Sequence, residues 1–213
     1  MKNRVCVSMA GIGRTTIMTL GVDNKMTNFY TEDELRTFGF KKYGKNCLIS
    51  RKASFYGVEN ISFGNNVRID DFCVLSGNIT IENYVHVSAW AGMFAGSYRI
   101  VMEDFTALSS RSVIYAESDD FSGNSFVNSM VPDIARKPLG GDVFVLRYAV
   151  IGTSCTVMPG VTIARGVAVG AGCLVFKSLS KEWFSYIGMT SCYAFMPRSK
   201  KMLELEELFN KIK

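Results

Sequence analysis

The chain has 213 residues, of which 48% are apolar and 20% charged, with a formal net charge of +5. That is long enough for one domain with a sizeable core and too apolar for a disordered polymer. No apolar run approaches the ~18–20 residues of a membrane span, and no dense Lys/Arg cluster with interleaved aromatics points to nucleic acid. Six cysteines in a chain of this length could suggest disulfides, and the lack of a paired CxxC unit speaks against zinc.

In chain order, residues 1–25 fit no repeat and lack the continuous apolar stretch of a secretory signal. They read as an extension, with Met26 as the functional start and a cytoplasmic protein as the default. Gly11 and Gly13 do not make a phosphate loop, because no Lys-Ser/Thr follows. Residues 26–48 read as an N-terminal cap. Thr31 and Glu34 within TEDE form a capping box, which predicts a short helix over about 32–38.

From 49 to 180 a six-residue period takes over. Phe63, Ile69, Leu75, Ile81, Val87 and Met93 follow at steps of six. The frame slips by three and resumes at Met102, Leu108 and Ile114, and after a long gap at Val145, Ile151, Val157, Ile163, Val169 and Val175. All fifteen are apolar, which at a 48% background arises by chance roughly once in 10⁵ for a fixed frame. The position four residues on is mostly small or β-branched, and Cys73, Cys155 and Cys173 occupy it, so these read as buried thiols.

Such a pattern builds a triangular coil, an all-β solenoid of the left-handed parallel β-helix kind. Each hexapeptide supplies one short strand and one corner, and the coils stack at about the ~4.8 Å strand spacing. Face one holds Ile49, Ile69, Val87, Leu108, Ile151 and Val169. Face two holds Phe55, Leu75, Met93, Ile114, Val157 and Val175, and face three Phe63, Ile81, Met102, Val145 and Ile163. Every irregularity falls between faces two and three, including the polar loop 115–144, which reads as shaping a substrate site. The tail 181–213 ends in a helix with Leu205, Leu208, Phe209 and Ile212 on one side. Both ends are expected to cap the solenoid.

His86 is the only histidine, so every imidazole role falls on it; three histidines for a zinc ion are not available, and no metal site is expected. The hexapeptide frame puts His86 on the corner between faces three and one, with the small residues Ala89, Ser110, Thr153 and Ala171 along the same ridge. A small-residue ridge lets a ligand approach backbone N–H groups. Glu117, Asp119 and Asp120 are the acids of the long loop, and Lys177, Arg198, Lys200 and Lys201 are cations suited to phosphates. A surface histidine without a role, a solvated acidic loop and a solvated basic end remain the plain alternatives.

IGTSCTVMPGVTIARGVAVGAGCLV at 151–175, YVHVSA at 84–89 and IYAESDDFSG at 114–123 together resemble the hexapeptide-repeat acyltransferases. The likeness is strongest to sugar acetyltransferases of bacterial O-antigen synthesis. The resemblance implies acetyl-CoA as co-substrate, no permanently bound cofactor, and a homotrimer with the donor between two prisms. It implies transfer to the amino group of a nucleotide-linked deoxyamino sugar, dTDP-4-amino-4,6-dideoxyglucose, for lipopolysaccharide. In that scheme His86 is catalytic. The donor lies on Ala89, Ser110, Thr153, Ala171 and Lys177, and the sugar meets Glu117, Asp119 and Asp120. O-acetylation of a glycan or lipid-linked sugar, and a non-catalytic scaffold, stay open beside it. The chain departs from the family pattern where relatives carry a histidine near the loop, at Gly77-Asn78, and at GMTSC (188–192).

Overall fold

The computed structural model describes residues 28–189 and 192–212; the expected extension 1–25 lies outside them. The repeat region forms a left-handed parallel β-helix of about seven turns. Face one is a single sheet whose strands run in the order Leu48–Ile49, Arg68–Ile69, His86–Val87, Ala107–Leu108, Val150–Ile151, Ala168–Val169 and Phe184–Ile187, all parallel. Two longer strands, Val74–Ile81 and Gly92–Met102, run from face two into face three and pair with each other. The three extra residues of the second appear as a register irregularity between Ser76 and Asn78.

The period of six is what fills the prism. Ile49, Ile69, Val87, Leu108 and Ile151 stack in register and are wholly buried, as are Leu75, Met93, Ile114 and Val157 on face two and Met102, Val145 and Ile163 on face three. Each such burial contributes about 1.5–3 kcal/mol. Cys73, Cys155 and Cys173 point inward and are free thiols. Buried Ser112 and Thr106 donate to the carbonyls of Gly152 (2.6 Å) and Glu103 (2.7 Å), so these interior hydroxyls are paired.

Each corner requires one residue in the left-handed region. Between faces three and one this column is Asn46, Asn66, Tyr84, Phe105, Tyr148, Gly166 and Trp183; between faces one and two it is Phe72, Trp90, Arg111, Ser154 and Gly172. The first column is an aromatic ladder. Tyr84 stacks on Phe105 (4.8 Å between centroids) and Phe105 on Tyr148 (5.6 Å). Gly166 then leaves room for Trp183 to reach across to Tyr148 at 5.6 Å; a Cβ there would lie 2.5 Å from the indole.

The N-terminal end is closed as the capping residues suggest. Helix α1 (Glu32–Thr37) carries both halves of the Thr31/Glu34 capping box. Behind it, Phe38, Phe40, Phe55 and Phe63 interlock at 5.1–6.3 Å. The other end differs from expectation. The last face-one strand, Phe184–Ile187, is covered by the antiparallel strand Tyr193–Pro197. Helix α2 (Lys201–Ile212) instead lies along the side of the prism, because the aromatic ladder offers it a surface there. Phe209 meets Tyr84 edge-on at 5.3 Å, and Glu206 accepts hydrogen bonds from Arg147 and the Tyr148 hydroxyl. No helix among the described residues is long and apolar enough to cross a membrane.

Candidate functional site

His86 opens a two-residue strand on face one. Tyr84, at φ 58°, completes the corner before it, and the flanking Val85 and Val87 fill the interior, so the imidazole projects outward. His86 therefore belongs to the strand column Arg68–His86–Ala107, not to the ridge of small residues. On the preceding coil, two residues past its direct partner Arg68, stands Asp70. Its Oδ2 lies 2.7 Å from His86 Nε2, and its Oδ1 accepts from Arg68 Nε at 2.6 Å. Partial burial raises the Asp70 carboxyl, but the hydrogen bonds from Arg68 and His86 outweigh it and hold the group below its ordinary value. A carboxylate here accepts a hydrogen bond from the Nε2–H of the neutral ring, which favours that tautomer and leaves the Nδ1 lone pair free to accept a proton. Asp70, the residue after inward Ile69, did not emerge from the sequence.

The ridge of small residues lies at the next corner, between faces one and two. Ala89, Ser110, Thr153 and Ala171 each precede the left-handed residue of their coil, and the chain stacks through Arg111 N–H to Ala89 O (3.2 Å), Ser154 N–H to Ser110 O (3.1 Å) and Gly172 N–H to Thr153 O (2.8 Å). Thr153 Oγ1 donates to Ser110 O at 2.6 Å. Among the described residues, the N–H groups of Ala89, Ser110, Thr153 and Ala171 meet no protein acceptor. They form a column of donors along the prism. Lys177 is elsewhere, beyond the far end of the face-two strand Leu174–Val175, beside the Phe176 ring. Arg198 is committed to the carbonyls of Tyr148 (3.2 Å) and Gly166 (2.9 Å), and so ties the tail to the prism.

The long loop leaves face two after Tyr115 and is pinned at its base. Glu117–Ser118 pairs antiparallel with Leu139–Gly140, and Arg99 clamps Asp142 (2.6 Å). Against face two it encloses a cleft of about 430 Å³, lined among others by Tyr115, Glu117, Asp119, Phe121, Arg136 and Met158. Glu117 is held by the Ser97 N–H (3.0 Å to Oε2) and packs on Gly96, where a Cβ would sit 2.6 Å from the Glu117 Cβ. Asp119 pairs with Arg136 at 3.1 Å. The Nε of Arg136 is buried and has no partner among the described residues. Asp120 does not join them; it caps its own turn by accepting from Ser122 N–H and Oγ–H at 2.8 Å. Two of the three loop acids thus share a cleft, and Arg136, invisible in a polar loop, completes it. No group of three or more metal-ligating side chains occurs among the described residues.

Within one chain, His86 lies on face one and the cleft against face two, so the two stay apart. No family model matches the sequence. The chain is, however, 39% identical over 184 residues to a dTDP-4-amino-4,6-dideoxy-D-glucose acyltransferase of Escherichia coli, a match spanning 85% of this chain and 94% of that protein. The chain belongs to the hexapeptide-repeat acyltransferase family. It is accordingly a CoA-dependent acyltransferase. The solved structure of a point mutant of AntD, an N-acyltransferase from Bacillus cereus, in complex with dTDP and coenzyme A superposes with a TM-score of 0.85 at 42% identity, over 89% of this chain and 100% of that one. A further AntD structure holds dTDP and 3-hydroxybutyryl-CoA. A more distant relative, 25% identical over 64% of this chain and 69% of its own length, is the putative lipopolysaccharide biosynthesis O-acetyl transferase WbbJ of Escherichia coli (strain K12).

Proposed function

We propose that this enzyme transfers an acetyl group from acetyl-CoA to the 4-amino group of dTDP-4-amino-4,6-dideoxyglucose, for lipopolysaccharide O-antigen, in the cytoplasm. The observation that carries the reading is the match along 94% of the Escherichia coli acyltransferase. The AntD complexes with a dTDP-amino sugar and coenzyme A support it. We propose further that the working unit is a homotrimer. The donor lies along the free N–H groups of Ala89, Ser110, Thr153 and Ala171 in the groove between two prisms, and the loop cleft of the neighbouring subunit presents the sugar.

In that arrangement the amine lone pair attacks the thioester carbonyl. The tetrahedral oxyanion is met by a backbone N–H, the C–S bond breaks, and the departing thiolate takes a proton. His86, oriented by Asp70, accepts the proton that the nitrogen loses once its bond to the carbonyl carbon forms, and supplies it to the departing thiolate. Glu117 and Arg136 hold the sugar through its hydroxyl and amino groups.

The test is thiol release from acetyl-CoA with dTDP-4-amino-4,6-dideoxyglucose, run beside 3-hydroxybutyryl-CoA and beside a dTDP-sugar bearing a 4-hydroxyl group. Turnover with acetyl-CoA and the amine alone is expected. Preference for the hydroxyl sugar, or for the longer donor, would replace the acceptor or the acyl group in this proposal. Absence of thiol release with every pair would overturn it.

A further inference from the structure

Two of the left-handed corner columns of the prism carry bulky aromatic residues, although such residues disfavour positive φ. In the column between faces three and one, packing compensates: Tyr148 and Trp183 are 5% and 6% exposed, enclosed by the ladder and the C-terminal segment. Between faces one and two it does not. Phe72 (φ 63°) and Trp90 (φ 66°) stack at 4.3 Å between centroids, yet remain 43% and 60% exposed. Phe72 covers one face of Trp90, and the Lys52 ammonium lies 5.4 Å from the Phe72 centroid. The next residue of the column is Arg111, linked to Trp90's coil by its N–H bond to Ala89 O. Arg111 is exposed, and among the described residues its guanidinium meets neither a carboxylate nor a ring.

The same corner carries the free N–H groups of Ala89 and Ser110, one residue before Trp90 and Arg111. A flat apolar platform, an uncommitted planar cation one coil further on, and a column of unpaired donors meet at one edge. We propose that Trp90, backed by Phe72, is the stacking surface for the base of a nucleoside diphosphate, and that Arg111 pairs with its phosphates. Stacking suits any base through its π-face, and a guanidinium matches phosphate oxygens two at a time. The chemistry is shared by the thymidine diphosphate of a sugar nucleotide and the adenosine diphosphate of coenzyme A. The inference rests on the proposed function for the presence of such ligands, and locates one of their bases.

Trp90 and Trp183 are the two tryptophans of the chain, and only Trp90 is exposed, so quenching of intrinsic fluorescence reports this surface. The experiment titrates dTDP and, separately, coenzyme A into the full chain and into Trp90→Ala, Trp90→Phe and Arg111→Ala, with affinities measured by calorimetry. Trp90→Ala is expected to weaken one of the two ligands by roughly tenfold, with Trp90→Phe largely restoring it. Arg111→Ala should weaken the same ligand and flatten its salt dependence. The ligand affected identifies whether the base is thymine or adenine. Wild-type affinity for both ligands in Trp90→Ala and Arg111→Ala overturns the inference while leaving the proposed function standing. A Trp90→Ala chain with altered sedimentation overturns it in favour of a subunit contact. A wild-type chain that binds neither ligand overturns both.

Discussion

Replacing Asp70 by Asn keeps the shape of the side chain beside His86 but removes its charge. The 2.7 Å bond from Asp70 Oδ2 to His86 Nε2 is charge-assisted, and such bonds contribute about 1.5–3 kcal/mol. At about 1.4 kcal/mol per factor of ten, the loss spans about 10- to 100-fold. The His86 side chain is 45% exposed, so water partly replaces the lost partner, and the lower end applies: about tenfold in kcat/KM, mainly in kcat. His86→Ala should cost about 100-fold, the low end for a proton acceptor, because an amine needs less help than a hydroxyl. Arg68→Ala removes the half-exposed guanidinium from Asp70 Oδ1 and should cost about threefold or less. The assay is steady-state thiol release at saturating sugar, with melting curves to show that each variant is folded. Asp70→Asn at wild-type rate would refute the orienting role, and His86→Ala at wild-type rate would remove the imidazole from the reaction.

Glu117→Gln and Arg136→Ala should each raise KM for the nucleotide sugar by roughly tenfold and leave KM for the acyl donor unchanged, a split that initial-rate kinetics resolves. Glu34, bonded through both oxygens to Arg51 and to the Thr31 N–H, is lowered from its ordinary 4.5 to about 2. Its stabilisation of the N-terminal cap is therefore complete above about pH 4.5 and is lost as the pH falls toward about 2. Acid titration followed by circular dichroism should show this, and Glu34→Gln should flatten it. Ile151→Ala, at a wholly buried interior position, should cost about 2–5 kcal/mol by denaturant titration.

The interior of the prism was legible because a strict period fixes which side chains point inward whatever the outside does. The stacking of Val87 on Ile69 and Leu108 follows from counting by six. Outward neighbours are harder, because they depend on where each corner turns. The turn falls at Tyr84 and again at Trp90, which puts His86 in a strand and gives Ala89 to the following corner. A shift of two residues in the corner thus separated groups that the frame alone would join. The repeated aromatics Tyr84, Phe105 and Tyr148 at one hexapeptide position are the signal that would have located that corner. Helix α2 misled for a related reason: its apolar stripe was plain, but the aromatic ladder that draws it to the side exists only once the coils are stacked. Asp120 and Asp119 are adjacent in sequence yet face opposite tasks, one capping a turn and one lining the cleft. Nothing in composition distinguishes them.

Subunit complementation tests the composite site most directly. His86→Ala and Glu117→Gln chains are unfolded together, refolded as a mixture and assayed for thiol release at a sugar concentration well below the wild-type KM, where each parent alone is of low activity. If each site joins His86 of one prism to the cleft of its neighbour, random assembly of a trimer restores about a quarter of the sites with both groups intact. Activity well above either parent is the expected result. A mixture no more active than its parents would contradict the shared site.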